Sequence, residues 1–431
     1  TPTSTNTPTV TSTPTANCGL AWRPVAAPDA ELYSNRILGI DFGPAGSAWA
    51  VGYAQVSPNG GKQALIERWD GTRWQIVPAP YAPEAGEEQL QSVSVLPSGD
   101  AWAVGHYKTG TGAQRNLIMR WNGTQWSVVP SPNVGTGNNE LRGVAALSAN
   151  DVWAVGQYMD GTTRKTLVMR WDGTQWSAVA TPNRGAGHNW LNSIVAFSAN
   201  DVWAVGSGNG QTLAMRWDGT TWLISNSPRV NDDELNSVGG IASNDMWAVG
   251  SGGLGAIALH WNGTEWSIGP VEIPGKPTQT LRALAPAAPH EVWAAGSYSA
   301  EGGSDPIILR WNGTAWTDVP GVPTSNSQDA IYALAASSAQ DVWAGGHAGN
   351  SLLVERYSAG CTGTPAPGTP TATQTCNPAW ERVTAPDPNN LSILEAVGGN
   401  AANNIWAMGY TNEPSTYATL AMRWNGTAWT Q

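Results

Sequence analysis

Residue types that usually carry out chemistry are sparse in this sequence and do not cluster. The five histidines, at positions 106, 188, 260, 290 and 347, have no metal-ligand spacing and no shared position relative to any motif. We find no nucleophile elbow, no phosphate-binding glycine loop and no paired-carboxylate pattern. The acidic runs at residues 87–88 and 232–234 are typical of solvated loop charge, with Ca²⁺ binding as the minor alternative. The sequence therefore predicts no enzyme activity, no metal site and no cofactor.

A tryptophan-centred motif recurs along the chain and sets its organisation. Asp-Val-Trp-Ala-Val-Gly at residues 151–156 returns unchanged at 201–206. Looser copies centre on Trp49, Trp102, Trp247, Trp293, Trp343 and Trp406. The steps from Trp49 to Trp343 are 53, 51, 50, 44, 46 and 50 residues. A second motif, Arg-Trp-Asn/Asp-Gly-Thr-x-Trp, trails most copies, as at residues 120–126. Such a period indicates an array of supersecondary units.

One repeat, residues 191–225, reads as four short strands. The first lies at 191–197, and the second, at 202–206, is a continuous apolar run, which indicates cover on both faces. The third, at 212–217, is joined by an Asp218-Gly219 hairpin turn to a fourth that begins at Trp222. A blade between two neighbouring blades supplies the cover. The sequence therefore predicts an all-β fold, a seven-bladed β-propeller with four-stranded blades.

The repeat resembles the kelch-type β-propeller repeat of secreted and cell-surface bacterial proteins, in a degenerate, Trp-rich version. The most kelch-like residues are the pair Gly345-Gly346 and the segment Val-Glu-Arg-Tyr at 354–357. Elsewhere a single glycine replaces the pair and the aromatic residue is Trp. The match covers roughly residues 20–360 and 376–431. This resemblance implies a fold and no particular activity.

The seventh repeat lacks its fourth strand, and the start of the chain offers a replacement. Trp22-Arg-Pro-Val25 followed by Pro28 matches the fourth strand at residues 126–129, which is followed by Pro132. We expect the N-terminal strand to complete the seventh blade and to close the ring, because closure removes an exposed sheet edge.

Cysteine spacing agrees with this closure. Cys18 lies four residues before Trp22, and Cys361 lies four residues after Tyr357, where the arms of the absent turn belong. We therefore expect a Cys18–Cys361 disulfide and an oxidising, extracellular compartment. Free buried thiols and a Cys361–Cys376 pairing are the alternatives.

A second copy begins after residue 375. Cys376, Trp380 and Pro386 repeat the spacing of the corresponding Cys, Trp and Pro 358 residues earlier. The predicted organisation is a Thr/Pro-rich linker at 1–17, a propeller at 18–361, a second linker at 362–375 and the start of a second propeller at 376–431. We expect this tandem array, and the partner of Cys376, to continue beyond residue 431.

Both linkers are rich in Thr and Pro, so they suit an extended conformation and O-glycosylation, with a bare spacer as the alternative. The candidate glycosylation sites are Thr1, Thr3, Thr5, Thr7, Thr9, Thr11, Thr13, Thr15, Thr362, Thr364, Thr369, Thr371, Thr373 and Thr375.

Two polar patterns repeat with the blades. Asn-Gly-Thr at Asn122, Asn262, Asn312 and Asn425 is a formal N-glycosylation sequon, but Asp replaces Asn in other repeats, which favours a structural turn. An Arg precedes most third-strand aromatic residues, and an acid opens most second strands. Because most repeats have one Arg and one acid, we expect the two side chains to pair within their blade and to stabilise it. A functional ring of charges is the alternative.

The loops between second and third strands, and between successive repeats, vary in length and lie on one face of the predicted ring. Variable loops are where ligand sites are usually found. We interpret the aromatic residues on this face as candidates for stacking on sugars, with loop packing as the alternative: Tyr53, Tyr107, Tyr158 and Tyr298 just after second strands, and Trp190 in an inter-repeat loop.

Composition limits the function classes. The 431 residues include 50 Gly, 30 Pro and 25 Trp, and only 12% are charged, with a net charge of −11. This balance argues against nucleic acid or anionic lipid as a partner. The leading hypothesis is a non-enzymatic extracellular structural protein, whose tandem propellers contact copies of themselves in a surface filament, fibre or sheath. The alternative is an adhesin-like module that binds carbohydrate or protein through its variable loops.

Overall fold

Residues 17–362 form seven four-stranded antiparallel sheets, which are the blades of a β-propeller in this computed structural model. The described chain covers residues 17–362, with gaps at 29, 31–32, 56, 59, 83–84, 229–232, 254, 270, 272, 277–278, 301–302 and 322–328. It also covers 392–430, with gaps at 402–403, 414–415 and 425–428. For residues 17–19, 360–362 and 392–430 the backbone alone is described.

The first three blades follow the strand that opens the described chain, β1 (Asn17–Pro24). Blade 1 contains β2 (Ser34–Phe42), β3 (Ala48–Gln55), β4 (Lys62–Trp69) and β5 (Trp74–Ile76). Blade 2 contains β6 (Ala85–Val95), β7 (Ala101–Thr109), β8 (Gln114–Trp121) and β9 (Trp126–Val128). Blade 3 contains β10 (Asn139–Ser148), β11 (Asp151–Asp160), β12 (Thr163–Trp171) and β13 (Trp176–Ala178).

The remaining blades repeat this order. Blade 4 contains β14 (Asn189–Ser198), β15 (Asp201–Gly208), β16 (Gln211–Trp217) and β17 (Trp222–Ser225). Blade 5 contains β18 (Glu234–Ala242), β19 (Asp245–Gly252), β20 (Gly255–Trp261) and β21 (Trp266–Gly269). Blade 6 contains β22 (Gln279–Ala288), β23 (Glu291–Ala300), β24 (Gly303–Trp311) and β25 (Trp316–Asp318). Blade 7 contains β26 (Asp329–Ser338), β27 (Asp341–Ala348) and β28 (Ser351–Thr362), with β1 as its fourth strand.

Tryptophan clusters join each blade to the next. The second-strand Trp of one blade packs against the two Trp residues that flank the last hairpin turn of the following blade. Trp153, for example, lies 5.1 Å from Trp217 and 5.7 Å from Trp222, measured between ring centroids. Edge-to-face and tilted aromatic pairs of this kind add about 0.5–1.5 kcal/mol beyond area burial. This arrangement explains why Trp recurs at three places in the repeat.

Blade 7 uses the same cluster with residues from both ends of the propeller segment. Trp22 on β1 lies 5.6 Å from Trp293 of blade 6 and 5.6 Å from Tyr357. Trp343 of blade 7 in turn lies 4.9 Å from Trp69 of blade 1. The backbone of β1 pairs antiparallel with β28 from Asn17 opposite Thr362 to Pro24 opposite Glu355.

Each innermost strand carries a β-bulge at the same place. In blade 3 the register shifts between Leu141 and Gly143, which leaves Arg142 as the extra residue. A bulge re-aims the side chain of its extra residue. The bulge also brings a carbonyl oxygen against the second strand, where a Cβ atom on Gly156 would overlap the carbonyl of Glu140. The glycine that ends the Asp-Val-Trp-Ala-Val-Gly motif is therefore required by the bulge opposite it.

The two repeated polar patterns are structural, as predicted. Asn122 Oδ1 accepts hydrogen bonds from Thr124 N, Thr124 Oγ1 and Gln125 N, at 2.8–3.0 Å. The Arg and acid of one blade also pair, as in Arg170 Nε to Asp151 Oδ1 at 2.9 Å. The guanidinium of Arg170 additionally lies over the Trp153 ring, with its Cζ 4.7 Å from the ring centroid.

The second unit is described by four strands. They are β29 (Ser392–Ala401), β30 (Asn404–Glu413), β31 (Thr416–Trp424) and β32 (Trp429–Thr430), which form one antiparallel sheet in chain order. The register of β29 on β30 shifts between Leu394 and Ala396, as at the propeller bulges. Within the described ranges, no helix has the length and apolar character needed to cross a membrane.

Candidate functional site: the mouth of the central channel

The aromatic residues singled out in the sequence lie in strands and are not exposed. Tyr53, Tyr107, Tyr158 and Tyr298 all fall inside second strands, and Trp190 is the second residue of β14 rather than part of a loop. Tyr53 is buried and the other four are half-buried. Tyr107, Tyr158 and Tyr298 pack against the hydrophobic clusters between blades. These residues therefore do not form a continuous exposed aromatic platform.

The cysteine and threonine predictions fall largely on backbone alone or outside the described chain. Cys18 and Cys361 are directly opposite each other in the pairing of β1 with β28. Thr362 is the last residue of β28. Cys376 and the other predicted glycosylation sites lie outside the described residues.

The bulge residues of the seven innermost strands line a central channel of about 140 Å³. They occupy one position of the repeat but differ in type: Leu38, Gln91, Arg142, Asn192, Asn236, Arg282 and Tyr332. Small residues follow them, because neighbouring inner strands approach closely here; a Cβ on Gly39 would lie 2.8 Å from the Cα of Ser92. Seven otherwise uniform blades thus place seven side chains of five residue types around one axis.

Hydrogen bonds connect these side chains across blades 3 to 6. Arg142 Nη1 donates to Asn192 Oδ1 at 2.8 Å. Asn192 Nδ2 then donates to the carbonyl of Leu235 at 2.9 Å, and Asn236 Nδ2 donates to the carbonyl of Leu281 at 2.8 Å. Side-chain amides therefore tie each inner strand to the next and leave this wall of the channel polar.

Blades 1 to 3 extend the network at the variable-loop end of the channel. Lys62 Nζ donates to Gln89 Oε1 at 2.7 Å and lies 4.0 Å from the centroid of the Tyr53 ring. His106 Nδ1 lies 3.9 Å from Glu140 Oε1. Glu140 also forms an ion pair with Arg142, in which Arg142 Nε lies 3.2 Å from Glu140 Oε1. Because Arg142 is one of the bulge residues that line the channel, this ion pair joins the cluster to the channel lining.

Blades 6 and 7 contribute a second cluster. The Arg282 guanidinium lies over the Tyr332 ring, with its Cζ 5.1 Å from the ring centroid. Tyr332 Oη is 3.3 Å from His347 Nε2, and His347 Nδ1 is 3.1 Å from the carbonyl oxygen of Gly349. A carbonyl oxygen can only accept a hydrogen bond, so His347 Nδ1 carries the proton. In neutral His347, Nε2 therefore accepts a hydrogen bond from the Tyr332 hydroxyl.

The pKa values of Lys62, His106 and Glu140 are shifted by burial and by the positive charges close together at the variable-loop end of the channel, which we call the mouth. Burial lowers the pKa of Lys62, and the nearby Arg36 guanidinium lowers it further. Burial also lowers the pKa of His106 more than the Glu140 carboxylate raises it. Burial raises the pKa of Glu140, but Arg142 and the hydrogen bonds it receives outweigh burial and hold that pKa below its ordinary value.

Several cations lie close together at the mouth, although the protein is acidic overall. Arg36, Lys62, Arg142 and Arg282 lie at or near it, together with the carboxylates of Glu140 and Glu234 at matching strand positions. The buried acids Glu88, Asp233 and Asp329 lie behind them in the first strands or the loops before these strands. The whole chain has 21 Lys and Arg against 32 Asp and Glu. Across the described ranges, no group of three His, Cys, Asp or Glu is placed to hold a metal ion. The arrangement is therefore suited to binding an anionic group.

A second ring, of buried polar residues, positions the loops around the mouth. Asn139 Oδ1 accepts from Val134 N at 2.8 Å, and its Nδ2 donates to the carbonyls of Val134 and Gly137. The corresponding residue is polar and buried in all seven blades: Asn35, Glu88, Asn139, Asn189, Asp233, Gln279 and Asp329. Burial removes loop backbone N–H and C=O groups from water, and a side-chain amide or carboxylate at this position can supply the hydrogen bonds that those groups then need.

Sequence reasoning missed both rings, although the repeat contained a signal. The buried polar residue stands two positions before the fixed Leu or Ile of the first strand, and the channel residue directly follows that Leu or Ile. An alignment of the repeats on Leu141 and its counterparts separates a position that is always polar from one that varies in type.

No family model matches the chain, and no curated protein matches its sequence. Solved structures do match. YCF48 bound to a D1 peptide is 18% identical, with 78% of this chain and 96% of that chain covered and a TM-score of 0.50. U3-55K is 11% identical, with 78% and 98% covered and a TM-score of 0.53. A polysaccharide lyase, an ulvan lyase, is 11% identical, with 80% and 94% covered and a TM-score of 0.49.

Similarity at these identities shows the fold alone, a β-propeller. The kelch-type character of the repeat, and the absence of enzyme activity, stay predictions.

Proposed function

We propose that this chain is a non-enzymatic binding module whose variable-loop face, at the mouth of the channel, binds an anionic partner. The observation that supports this most is the gathering of Arg36, Lys62, Arg142 and Arg282 in a protein of net charge −11. Four partly desolvated cations near one axis repel one another, and a bound anion relieves that repulsion. YCF48, one of the similar propellers, has been solved with a peptide bound, which is consistent with such a role.

Binding to anionic surfaces tests this function. The full chain is passed over surfaces carrying polyglutamate, polygalacturonate or uncharged dextran, and retention is measured by surface plasmon resonance. We expect retention on at least one anionic surface and none on dextran, with retention lost on the Lys62→Glu/Arg142→Glu variant.

Arg73→Glu is the control for a charge reversal away from the mouth, and its retention is compared with the loss per reversed charge in the double variant. Arg73 lies in a turn between third and fourth strands, on the face opposite the variable loops, and its side chain is 74% exposed. Reversal of charge there changes the net charge without changing the mouth. An equal loss per reversed charge for the two variants, or no retention of the unmodified protein, would contradict the proposal.

The module is also proposed to be closed by β1 and by a Cys18–Cys361 disulfide in an extracellular compartment. Directly opposite Cα positions in an antiparallel pair support the disulfide, because cross-strand neighbours lie within about 4.5–5.5 Å, inside the reach of an S–S bridge. Thr/Pro-rich linkers that suit O-glycosylation support the same location.

A structural role in a tandem array is the second candidate. The sheet at 392–430 supports it, because its bulge between Leu394 and Ala396 and its Trp424–Trp429 pair repeat the register of the propeller blades. Electron microscopy of native surface material would show ordered filaments with a repeat near one propeller if this role is correct. Isolated beads on a flexible chain would count against it.

A further inference from the structure

Three of the four cations at the mouth, all except Arg142, form no ion pair among the described residues. Arg142 is held by Glu140 and Asn192, and Lys62 is held by Gln89. Arg36 and Arg282 form no ion pair within the described chain, and they differ from Lys62 in that the Nε of each is buried without a hydrogen-bond partner there. Their contacts are aromatic faces: Arg36 lies 6.0 Å from the Tyr53 centroid and Arg282 lies 5.1 Å from the Tyr332 centroid.

These two arginines belong to blades 1 and 6, which flank blade 7. Between them stand Tyr332 and His347, joined by the hydrogen bond from Tyr332 Oη to His347 Nε2. Both guanidinium groups are close enough to lower the pKa of His347, after the larger effect of burial. A Tyr–His pair therefore separates two guanidinium groups that form no ion pair within the described chain, although the buried Asp329 carboxylate lies close enough to raise the pKa of His347.

We propose that Arg36 and Arg282 together bind a carboxylate group of an acidic peptide at the mouth of the channel. A guanidinium is a planar fork that matches the two oxygens of a carboxylate, and such charge-assisted pairs are roughly twice as strong as neutral hydrogen bonds. Stacking on Tyr53 and Tyr332 orients both forks.

The shape and lining of the channel favour a peptide. A volume of about 140 Å³ admits a carboxylate on a slender chain, such as an Asp or Glu side chain or a peptide C-terminus. The amide of Gln91 on the channel wall can pair with peptide main-chain groups. Asn192 and Asn236 already bond to neighbouring strands, but an amide has two donor hydrogens and a second acceptor lone pair with which it can do the same. This inference rests on the proposed function and adds the ligand class and the two residues that bind it.

Isothermal titration of the full chain with hexaglutamate, hexagalacturonate and inorganic phosphate tests the assignment. We expect hexaglutamate to bind most tightly. Arg36→Gln and Arg282→Gln should each weaken it roughly 10-fold or more, since each removes a hydrogen bond between charged groups. Arg164→Gln is the matched control, because Arg164 lies over Trp190 at the same end of the propeller but outside the channel lining. Circular dichroism confirms that each variant folds.

The outcomes separate the two proposals. If Arg36→Gln and Arg282→Gln bind as the unmodified protein does, while Lys62→Glu/Arg142→Glu loses binding, this carboxylate site is wrong and the proposed function stands. Tighter binding of hexagalacturonate or of phosphate overturns the peptide assignment. If the unmodified protein binds none of the three probes, both proposals fail.

Discussion

Alanine at Gly156 would place a Cβ atom against the carbonyl oxygen of Glu140 and 2.9 Å from the Cα of Leu141. Real Cβ atoms essentially never approach other atoms within 3.0 Å, and both neighbours are backbone atoms of the bulge in β10. No flexible side chain can move aside, so the bulge itself must shift. Gly156→Ala should therefore destabilise the propeller, because it displaces the bulge in β10. The same bulge directs the Arg142 side chain into the channel.

The size of this effect follows from overpacking. Forcing a methyl group into a packed site typically costs about 1–3 kcal/mol, and we expect the upper part of that range because backbone meets backbone. Gly110 provides the matched control, since a Cβ there would meet nothing within 4 Å and the residue lacks a positive φ. Alanine at Gly110 should be neutral or should stabilise by roughly 0.4–1 kcal/mol through the unfolded chain.

Denaturant unfolding followed by near-ultraviolet circular dichroism, which reports the tryptophan clusters, measures both variants. We expect their unfolding free energies to differ by roughly 1.5 to 4 kcal/mol. Gly156→Ala should also bind an anionic ligand more weakly, because Arg142 follows the shifted backbone. A Gly156→Ala protein as stable as Gly110→Ala would refute the requirement of the bulge for glycine.

Three further predictions follow from the closure, from a buried carboxyl and from the mouth. Non-reducing peptide mapping should find Cys18 joined to Cys361, and Cys361→Ser should lower the unfolding free energy by on the order of 5 kcal/mol, because the bridge closes a very long loop; a Cys361–Cys376 peptide would exclude this pairing. Burial raises the pKa of Asp41 from 3.8 to about 6, so this carboxyl binds protons more tightly when folded, and its contribution to stability falls as pH rises from about 4 to 6. Asp41→Ser, the residue that blade 2 uses at this position, should therefore gain stability relative to the unmodified protein across that pH range, and a pH-independent difference would count against the shift. Burial lowers the pKa of His106 and of His347 below 6.5, so each imidazole becomes charged only at a pH below that value. The affinity for an anion should therefore be higher at pH 5 than at pH 8, and equal affinities at the two pH values would contradict this prediction.

The blades could be predicted from the sequence because each strand carries its own local signal. The apolar run at 202–206 and the Asp218-Gly219 turn specify blade 4 without reference to the rest of the chain, and observed β15 and β16 extend the predicted strands by only a few residues. The alternation of Asn with Asp at one turn position likewise predicted a structural turn, and in the structure Asn122 Oδ1 accepts a hydrogen bond from Thr124 N in that turn.

The channel mouth could not be predicted in the same way, because its residues meet only when the blades surround a common axis. From the sequence alone, Arg142 is an ordinary polar residue in a strand of alternating polar and apolar positions. Only the bulge between Leu141 and Gly143 directs its side chain into the channel. Tyr53 reads as the start of a loop, yet β3 continues past it and Lys62 of the next strand covers its ring. Contacts between strands decide both cases.

A structure of the full chain with hexaglutamate bound tests the central claim most directly. The account predicts the peptide at the variable-loop end of the channel, with one carboxylate between the guanidinium groups of Arg36 and Arg282. A peptide seated on the outer edge of a blade, or on the opposite face near Arg73, would contradict it.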